Sequence, residues 1–423
     1  MKQVKAGIIG FGTVGSGVYN IIKQNGAVIS ERTGVSLEIA AICDLRLEAL
    51  QTLDGVKIKT NDWKDIVNNP EIDVVIELIG GLQPAGDIIL TALQNGKSVV
   101  TANKKLLAEK GNAIFDAASK SAGTLHFEAA IGGGIPCILA LNTGLAANRI
   151  KSIEGILNGT TNYILSQMEE KSISFDTALK EAQHKGFAEA DPTFDIEGYD
   201  AGHKIALLAL LAYGKRVDYT KIDIEGITKI SDLDILYAKD MGYVIRLLGS
   251  AKMTDGALDI SVRPTMIPML HPLSSVRNEL NAVMFDGDMT DPIILFGKGA
   301  GSLPTASAVL SDVIQSATAN ILKKINYAEA EEASFLPCEK RESKYYLRVY
   351  TKDEPGILSK ITGILGRFSI SIESLIQRAS TDVFVPLIFL THSVNEAAMI
   401  KAAAEINKSD FVKEDIVIIK VDA

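Results

Sequence analysis

The chain has 423 residues, enough for two or three domains with cores of their own and too many for a single small binding module. Hydrophobic residues make up 47% and charged residues 22% of it, which excludes disordered, collagenous and coiled-coil chains. Lys and Arg number 43 against 52 Asp and Glu, a formal charge of −9, so there is no basic footprint for nucleic acid or an anionic membrane, and neither is expected as a partner.

Residues 4–9 read as a short buried strand, followed by Gly10-Phe11-Gly12-Thr13-Val14-Gly15 and a helical pattern at Val14, Val18, Ile21 and Ile22. Residues 37–43 form a second apolar run that ends at Asp44, with residues 24–36 read as an inserted turn before it. Further strands are predicted at 74–79, ending at Gly80-Gly81, and at 98–101, with a helix at 87–95 between them. Alternating strands and helices with short turns predict an α/β fold, a doubly wound parallel sheet of the Rossmann type.

After about residue 125 the texture changes. A glycine-rich turn at Gly132-Gly133-Gly134, a strand at 152–157 and helices near 161–170 and 175–185 open a second, α+β domain. Its later strands, at 222–227, 244–253 and 258–264, suggest a sheet with helices on one face. A helical run at 307–324 is long enough to pack back on the first domain, and residues 328–344 have the composition of a charged linker. Residues 345–423 read as strand, helix, strand, strand, helix, strand, the ferredoxin-like split unit. Cys43, Cys137 and Cys338 show neither CxxC spacing nor an even count, so no disulfide framework or zinc site is expected and a cytoplasmic location fits. There is no signal-peptide pattern at the amino terminus, and the most apolar helical run, 205–213, is far below the ~18 residues that span a bilayer.

The turn at Gly10, Gly12 and Gly15 matches G-x-G-x-x-G, which at the first strand of such an alternation points to a dinucleotide whose pyrophosphate faces the helix amino terminus. Read alone, the match is also that of a mere turn. Asp44 stands where a carboxylate accepts bonds from ribose hydroxyls, farther from the glycines than the usual ~20 residues; a solvated strand-end Asp is the plain alternative. Arg46 is placed to meet a 2′-phosphate, so NAD and NADP both stay open.

Asp200 and Lys204 are four apart at the start of an apolar helix and share a face, the acid on the favourable amino-terminal side. Such a pair is usually a surface bridge, but burial of the following turns puts Lys204 at the edge of a core. A desolvated lysine at that end of a helix suits proton exchange. Asn158-Gly159-Thr160-Thr161 leads a strand into a helix that either Thr can cap; whether its amides also hold a substrate carboxylate is open. Asn103-Lys104-Lys105 follows a strand near the carboxyl edge of the sheet, where ligands bind in such folds, although lysine pairs are commonly surface features.

GFGTVG at 10–15, TANK at 101–104, EGILNGTTNYIL at 154–165, GFAEADPTFDIEGYDAGHK at 186–204 and GKGAGSLPTASAV at 297–309 together closely resemble the homoserine dehydrogenase family. The terminal unit, with Asp353-Glu354-Pro355-Gly356 opening its first helix, resembles an ACT domain. The resemblance implies an NAD(P)-binding Rossmann domain at 1–127 with a return helix at about 305–325, a catalytic and dimerisation domain at 128–304, a linker at 328–344 and an ACT regulatory domain at 345–423.

It also implies reversible reduction of L-aspartate 4-semialdehyde to L-homoserine, on the way to threonine and methionine. Lys204 is then the proton donor and acceptor, with Glu189 and Asp200 at the homoserine amine and hydroxyl end. Phe11, Thr13 and Val14 lie at the pyrophosphate, Lys104 beside the nicotinamide, and Gly186 and Gly301 near the cofactor, with Asp195 and Thr160 as further substrate contacts. A monovalent cation, sodium, is implied at Glu128, Ile131, Gly133 and Ile135, mainly through backbone carbonyls. A homo-oligomer, dimer or tetramer, and threonine as effector are implied as partners. The rival readings are a Rossmann dehydrogenase for another amino-acid aldehyde or keto acid, which a substrate screen separates, and a catalytically dead nucleotide sensor, against which the set Lys204, Asp200 and Glu189 argues.

Overall fold

The computed structural model describes residues 2–318, 330–378 and 382–422. The chain forms two compact units: Met1–Gly159 with Asp200–Lys221 and Leu280–Ala333, and Thr160–Tyr199 with Ile222–Glu279 and Ser334–Ala423.

The first unit is built on six parallel strands, β1 (Lys2–Ile9), β2 (Val35–Cys43), β3 (Ile58–Thr60), β4 (Val74–Glu77), β5 (Ser98–Thr101) and β6 (Leu125–His126), in the order β3-β2-β1-β4-β5-β6. The order reverses between β1 and β4, and ligands of such sheets bind beyond the strand ends at that switch point. The strands are apolar runs rather than alternating ones because helices cover both faces. The helix Thr13–Thr33 runs straight through the turn expected at 24–36. Gln24 and Asn25 simply face solvent, and the stop comes at Gly34, whose φ is 71° and whose N–H closes on Ser30. The long spacing from Gly10 to Asp44 is thus extra helix, not an inserted turn.

The helix Ser302–Thr318 lies against Thr13–Thr33, and its Ala306, Val309, Leu310 and Val313 share one core with Ile8, Val18, Ile42 and Ile76. The part of the expected return helix at 319–325 is outside the described residues. The same unit carries β7 (Ile150–Ile156), which pairs antiparallel with Leu280–Gly287, itself paired with Asp291–Lys298, and the helix Tyr199–Tyr213, buried almost all round.

In the second unit the hairpin Tyr243–Thr254 and Ala257–Pro268 continues as a sheet through Val417–Val421, Glu342–Lys352, Phe384–Thr391 and Ile372–Gln377. The helices Ile357–Arg367 and Glu396–Asn407 cover the last four strands through Leu347, Ile361, Phe389, Met399 and Ile406. The expected strand, helix, strand, strand, helix, strand order is present. Residues 330–344 are bonded rather than loose. In the first unit Arg216 and Glu331 share a backbone bond of 2.8 Å, and in the second Leu258 N–H reaches Ser334 O at 2.7 Å. Residues 328 and 329 of the expected linker lie outside the described set. Among the described residues no helix is long and apolar enough to cross a membrane.

Candidate active site

Gly10 leaves β1 with φ 102°, and a Cβ there would stand 2.8 Å from the Leu78 carbonyl carbon; a Cβ on Gly15 would collide with the Gly10 carbonyl oxygen. These two positions demand glycine for the turn itself. Gly12 is different: nothing lies within 4 Å of a Cβ built on it, and no side chain caps the helix it opens. An uncapped helix start beneath open space fits a pyrophosphate.

Asp44 does more than end β2. Its Oδ2 accepts the Phe11 N–H at 2.7 Å, and its Oδ1 accepts the Arg46 N–H at 2.9 Å and Nε at 3.1 Å. Arg46 Nη2 in turn donates to Phe11 O at 3.2 Å. Burial pushes the Asp44 carboxyl up, but the Arg46 and Phe11 bonds outweigh it and hold the group below its usual range. On the other side of the turn, Ser302 Oγ donates to Thr13 O at 2.6 Å, which sets Gly301 beside the same helix start.

The second cluster lies at the end of β7 and the start of Tyr199–Tyr213. Lys204 Nζ donates to Leu157 O at 2.6 Å and to Asp200 Oδ2 at 2.7 Å. Asp200 Oδ2 also accepts Asn158 Nδ2 at 3.0 Å, and its Oδ1 pairs with Lys104 Nζ at 3.0 Å. The Asp200 and Lys204 side chains are 7% and 8% exposed, so this is no surface bridge. Burial disfavours the Asp200 carboxylate, yet Lys204 and Lys104 hold its pKa far below the ordinary range. The sequence pairs Asp200 with Lys204, and the structure adds Lys104 to them.

Four residues to which the sequence reading gave no bonding role are bonded in or near this cluster. Asn158 completes the Asp200 shell. Asn103 caps the helix Lys104–Lys120, its Oδ1 accepting Leu106 N–H at 3.1 Å while Nδ2 donates to Gly81 O at 2.7 Å. A cation in the first turn of a helix is disfavoured by the macrodipole, and Asp200 offsets that for Lys104. Glu77, fully buried, accepts Thr101 Oγ1 at 2.6 Å, Ile79 N–H at 2.9 Å and Gly80 N–H at 3.1 Å. A lone carboxylate in the apolar run of β4 was its visible signal. His203 sits 3.1 Å by Nε2 from Glu109 Oε1 and stacks on Tyr219 with ring centroids 4.2 Å apart. Burial drives its imidazole toward the neutral form against the pull of Glu109.

In the second unit, Thr160 Oγ1 donates to Phe187 O at 2.7 Å and to Asp195 Oδ2 at 3.2 Å, tying the turn at Gly186 to the helix Gly159–Lys171. Glu189 lies on that turn with its side chain exposed.

Glu128 is buried, and its carboxylate accepts the N–H groups of Ile138 and Leu139 at 2.7 Å each. Its own N–H donates to Asp312 Oδ2 at 2.8 Å. Burial pushes the Glu128 carboxyl up to about 7 although the backbone bonds pull it down, and pushes Asp312 well above its usual range. Among the described residues neither acid has an ion-pair partner, and two buried carboxyl groups joined through the Glu128 backbone N–H, with no cationic side chain paired to either, fit a nearby cation. Gly134 N–H is held by Lys298 O at 3.1 Å and Ile135 N–H by Gly132 O at 2.9 Å, so the turn bearing the Ile131, Gly133 and Ile135 carbonyls is fixed.

Comparison with known proteins bears on this arrangement. A family model for the NAD-binding domain of homoserine dehydrogenase matches residues 10–128, one for homoserine dehydrogenase matches 136–314, and one for the ACT domain matches 345–410. A homoserine dehydrogenase of Neisseria gonorrhoeae is 44% identical over 100% of this chain and 99% of its own, and one of Pseudomonas aeruginosa is 42% identical over the same shares. The crystal structure of a homoserine dehydrogenase from Thiobacillus denitrificans, 40% identical, superposes with a TM-score of 0.94 over 100% of this chain and 99% of that one. The chain belongs to the homoserine dehydrogenase family, as an NAD(P)-dependent oxidoreductase with an ACT domain.

Proposed function

We propose that the chain interconverts L-homoserine and L-aspartate 4-semialdehyde with Lys204 as the group that moves the proton. The observation that carries this is the buried pair Lys204 and Asp200, with the half-buried Lys104 on the other carboxylate oxygen. The bound nicotinamide supplies the hydride donor or acceptor. In the reducing direction the Lys204 ammonium, aimed by Leu157 O and Asp200, gives its proton to the aldehyde oxygen as the carbon receives hydride; in oxidation Lys204 Nζ takes the carbinol proton. Asp200, held as a carboxylate by its two lysines, orients and does not itself exchange protons. Glu189 and Asp200 are assigned to the substrate's amine and hydroxyl end, Asp195 and Thr160 as further substrate contacts, and Gly186 and Gly301 as neighbours of the cofactor. Lys104 stands beside the nicotinamide. Following NAD(P)H absorbance with homoserine tests this, and no turnover of homoserine, with turnover of another amino-acid aldehyde or keto acid, would transfer the reading to that substrate.

The domain division we propose is 1–127 for nucleotide, 128–304 for substrate and dimerisation, and 345–423 for regulation. On cofactor choice, the Asp44 carboxylate would repel a 2′-phosphate while Arg46, paired with it at 3.1 Å, would attract one, so we expect NAD or dual use. Comparing kcat/KM for the two cofactors decides it, and a preference for NADP above a hundredfold would overturn it. Arg46→Ala is expected to lower kcat/KM for NADP more than for NAD.

Sodium or potassium is expected to be needed for full activity, held by Glu128 and by the carbonyls of Ile131, Gly133 and Ile135, its charge facing two buried acids. Activity titrated with each chloride salt, at constant ionic strength with a bulky organic cation as balance, tests this; equal rates without either metal remove the site. We further propose a homo-oligomer in which the strand Ile372–Gln377, last in its sheet, pairs with its copy, since an open edge invites such pairing, with threonine as effector at that seam.

A further inference from the structure

The helix Tyr199–Tyr213 is apolar from Ile205 to Ala212. Its buried polar side chains, Asp200, His203 and Lys204, all fall within its first two turns. Two of them form the pair assigned above to proton transfer. The third, His203, is 1% exposed and has no part in that assignment. Burying a polar group where leucine would pack costs stability, so a histidine kept there fixes a geometry rather than strengthening a core.

His203 is directed at the helix Lys104–Lys120. Its Nε2 stands 3.1 Å from Glu109 Oε1, and because a carboxylate only accepts, Nε2 carries the hydrogen. Tyr219 stacks on the ring, with centroids 4.2 Å and planes 29° apart, and holds it in that orientation. Burial favours the neutral imidazole against the pull of Glu109 and Asp200, so the contact is a directed hydrogen bond. The same helix meets Asp200 through Lys104 at 3.0 Å and Arg216, just past the second helix, through Asp116 at 2.7 Å. At 1.5 Å per residue, Glu109 lies about 7.5 Å along the helix from Lys104, and Asp116 about 18 Å. Lys104 itself is a weak tether, since its flexible four-carbon stem can swing its ammonium out to water. Whether it stays on Asp200 depends on how closely the two helices are held, and the Glu109–His203 bond is the nearer restraint, three residues from Asp200 on a rigid backbone.

We propose that His203 and Glu109 are positioning residues for the reaction: their bond docks the helix bearing Lys104 on the helix bearing Asp200 and Lys204, and so keeps Lys104 on one oxygen of Asp200 while Lys204 stays on the other. They act through the aim of Asp200. That carboxylate is held from two sides, by Lys104 at Oδ1 and by Lys204 and Asn158 at Oδ2. If the Lys104 helix drifts by about an ångström, Asp200 loses one side and no longer fixes the Lys204 ammonium, and displacements of that size cost up to ~10² in rate. The effect on turnover rests on the Lys204 reading, whereas the docking of the helices does not.

The test uses the full-length enzyme and two readouts: kcat with homoserine, and the rate at which an amine-reactive reagent labels Lys104, followed by mass spectrometry. Glu109→Ala, at a side chain 27% exposed, is expected to fold, to label faster at Lys104 and to lose ~10-fold in kcat. Glu109→Gln keeps an acceptor oxygen for the His203 N–H and is expected to recover most of both. In a Lys104→Met background, adding Glu109→Ala is expected to change kcat by no more than about twofold, because the contact it protects is already gone. Asp116→Ala, which releases the same helix far from Lys104, is expected to leave kcat and labelling within about twofold of wild type. His203→Phe, which keeps a ring on Tyr219 without the N–H, carries the same expectations as Glu109→Ala and replaces it if that variant does not fold. Wild-type kcat and labelling in Glu109→Ala overturn the proposal, as do a glutamine variant as impaired as the alanine, a full further loss in the Lys104→Met background, or an equal loss in Asp116→Ala, which would mark general loosening of the helix. A wild-type enzyme that does not turn over homoserine would sink the dehydrogenase reading, and the labelling of Lys104 would still decide the docking.

Discussion

Lys204→Ala is expected to fold, to bind NAD(P) and to lose at least ~10² in kcat, the contribution of one well-placed proton donor. Folding should survive because Asp200 keeps Lys104 at 3.0 Å and Asn158 at 3.0 Å when Lys204 is gone, so the truncation does not strand a bare charge. Cofactor binding should survive because the glycine turn is held by its own bonds, from Phe11 N–H and Arg46 to Asp44 and from Ser302 Oγ to Thr13 O. Lys204→Arg separates proton transfer from charge: a guanidinium keeps the positive charge but does not deprotonate in this pH range, so it is expected to be nearly as inactive as the alanine. The measurement is kcat for each folded variant, with small primary amines added to the alanine variant to supply the missing base. A kcat within a few-fold of wild type would make Lys204 structural.

For Asp200→Asn the larger effect is expected on stability, because it removes the carboxylate that two lysines share and leaves Lys204 buried without a counter-charge. Breaking a buried pair in this way costs about 3–5 kcal/mol, to be read from urea unfolding at neutral pH. The pH dependence has a definite sign. The Asp200 carboxyl is held far below its unfolded value, so the folded state binds its proton more weakly than the unfolded chain does. Its contribution is complete above the ordinary carboxylate range and is lost as pH falls through and below that range. Asp200→Asn should therefore lie closer to wild type in stability in acid than at pH 7. A constant difference between the two across that span would mean that the carboxylate is not what the lysines depend on.

The alternation of strands, the glycine turn and the terminal six-element unit were all legible because each is written in local pattern. The stretch from Gln24 onward misled because turn-forming residues also suit the wet face of a long helix, and the left-handed stop comes only later, at Gly34. At the site, Asp200 and Lys204 were legible since four residues of helix bring them together. Asn158 and Glu77 were not, because their roles depend on strands ending beside residues 42 and 24 positions away. The same holds for Asp234, buried and bonded to Tyr346 and Arg348 at 2.8 Å each; no spacing rule reaches across more than a hundred residues. Residues 330–344 read as a linker by charge, yet Arg341 pairs with Asp259 at 3.1 Å and with Glu396 at 3.4 Å, and composition cannot distinguish a solvated arginine from an anchored one.

The helix Ser302–Thr318 completes a core whose other members come from the first 130 residues. During synthesis that core has to wait. At about 5–20 residues per second, the ribosome needs on the order of ten to forty seconds between finishing β6 and delivering Ala306, Val309 and Val313. Through that interval the nascent nucleotide-binding sheet has one face short of its cover, with Val18 and Ile42 open to chaperones or to neighbouring chains. The order of emergence thus makes the early half of the polypeptide the portion most exposed to aggregation, and slower translation beyond residue 126 lengthens that exposure.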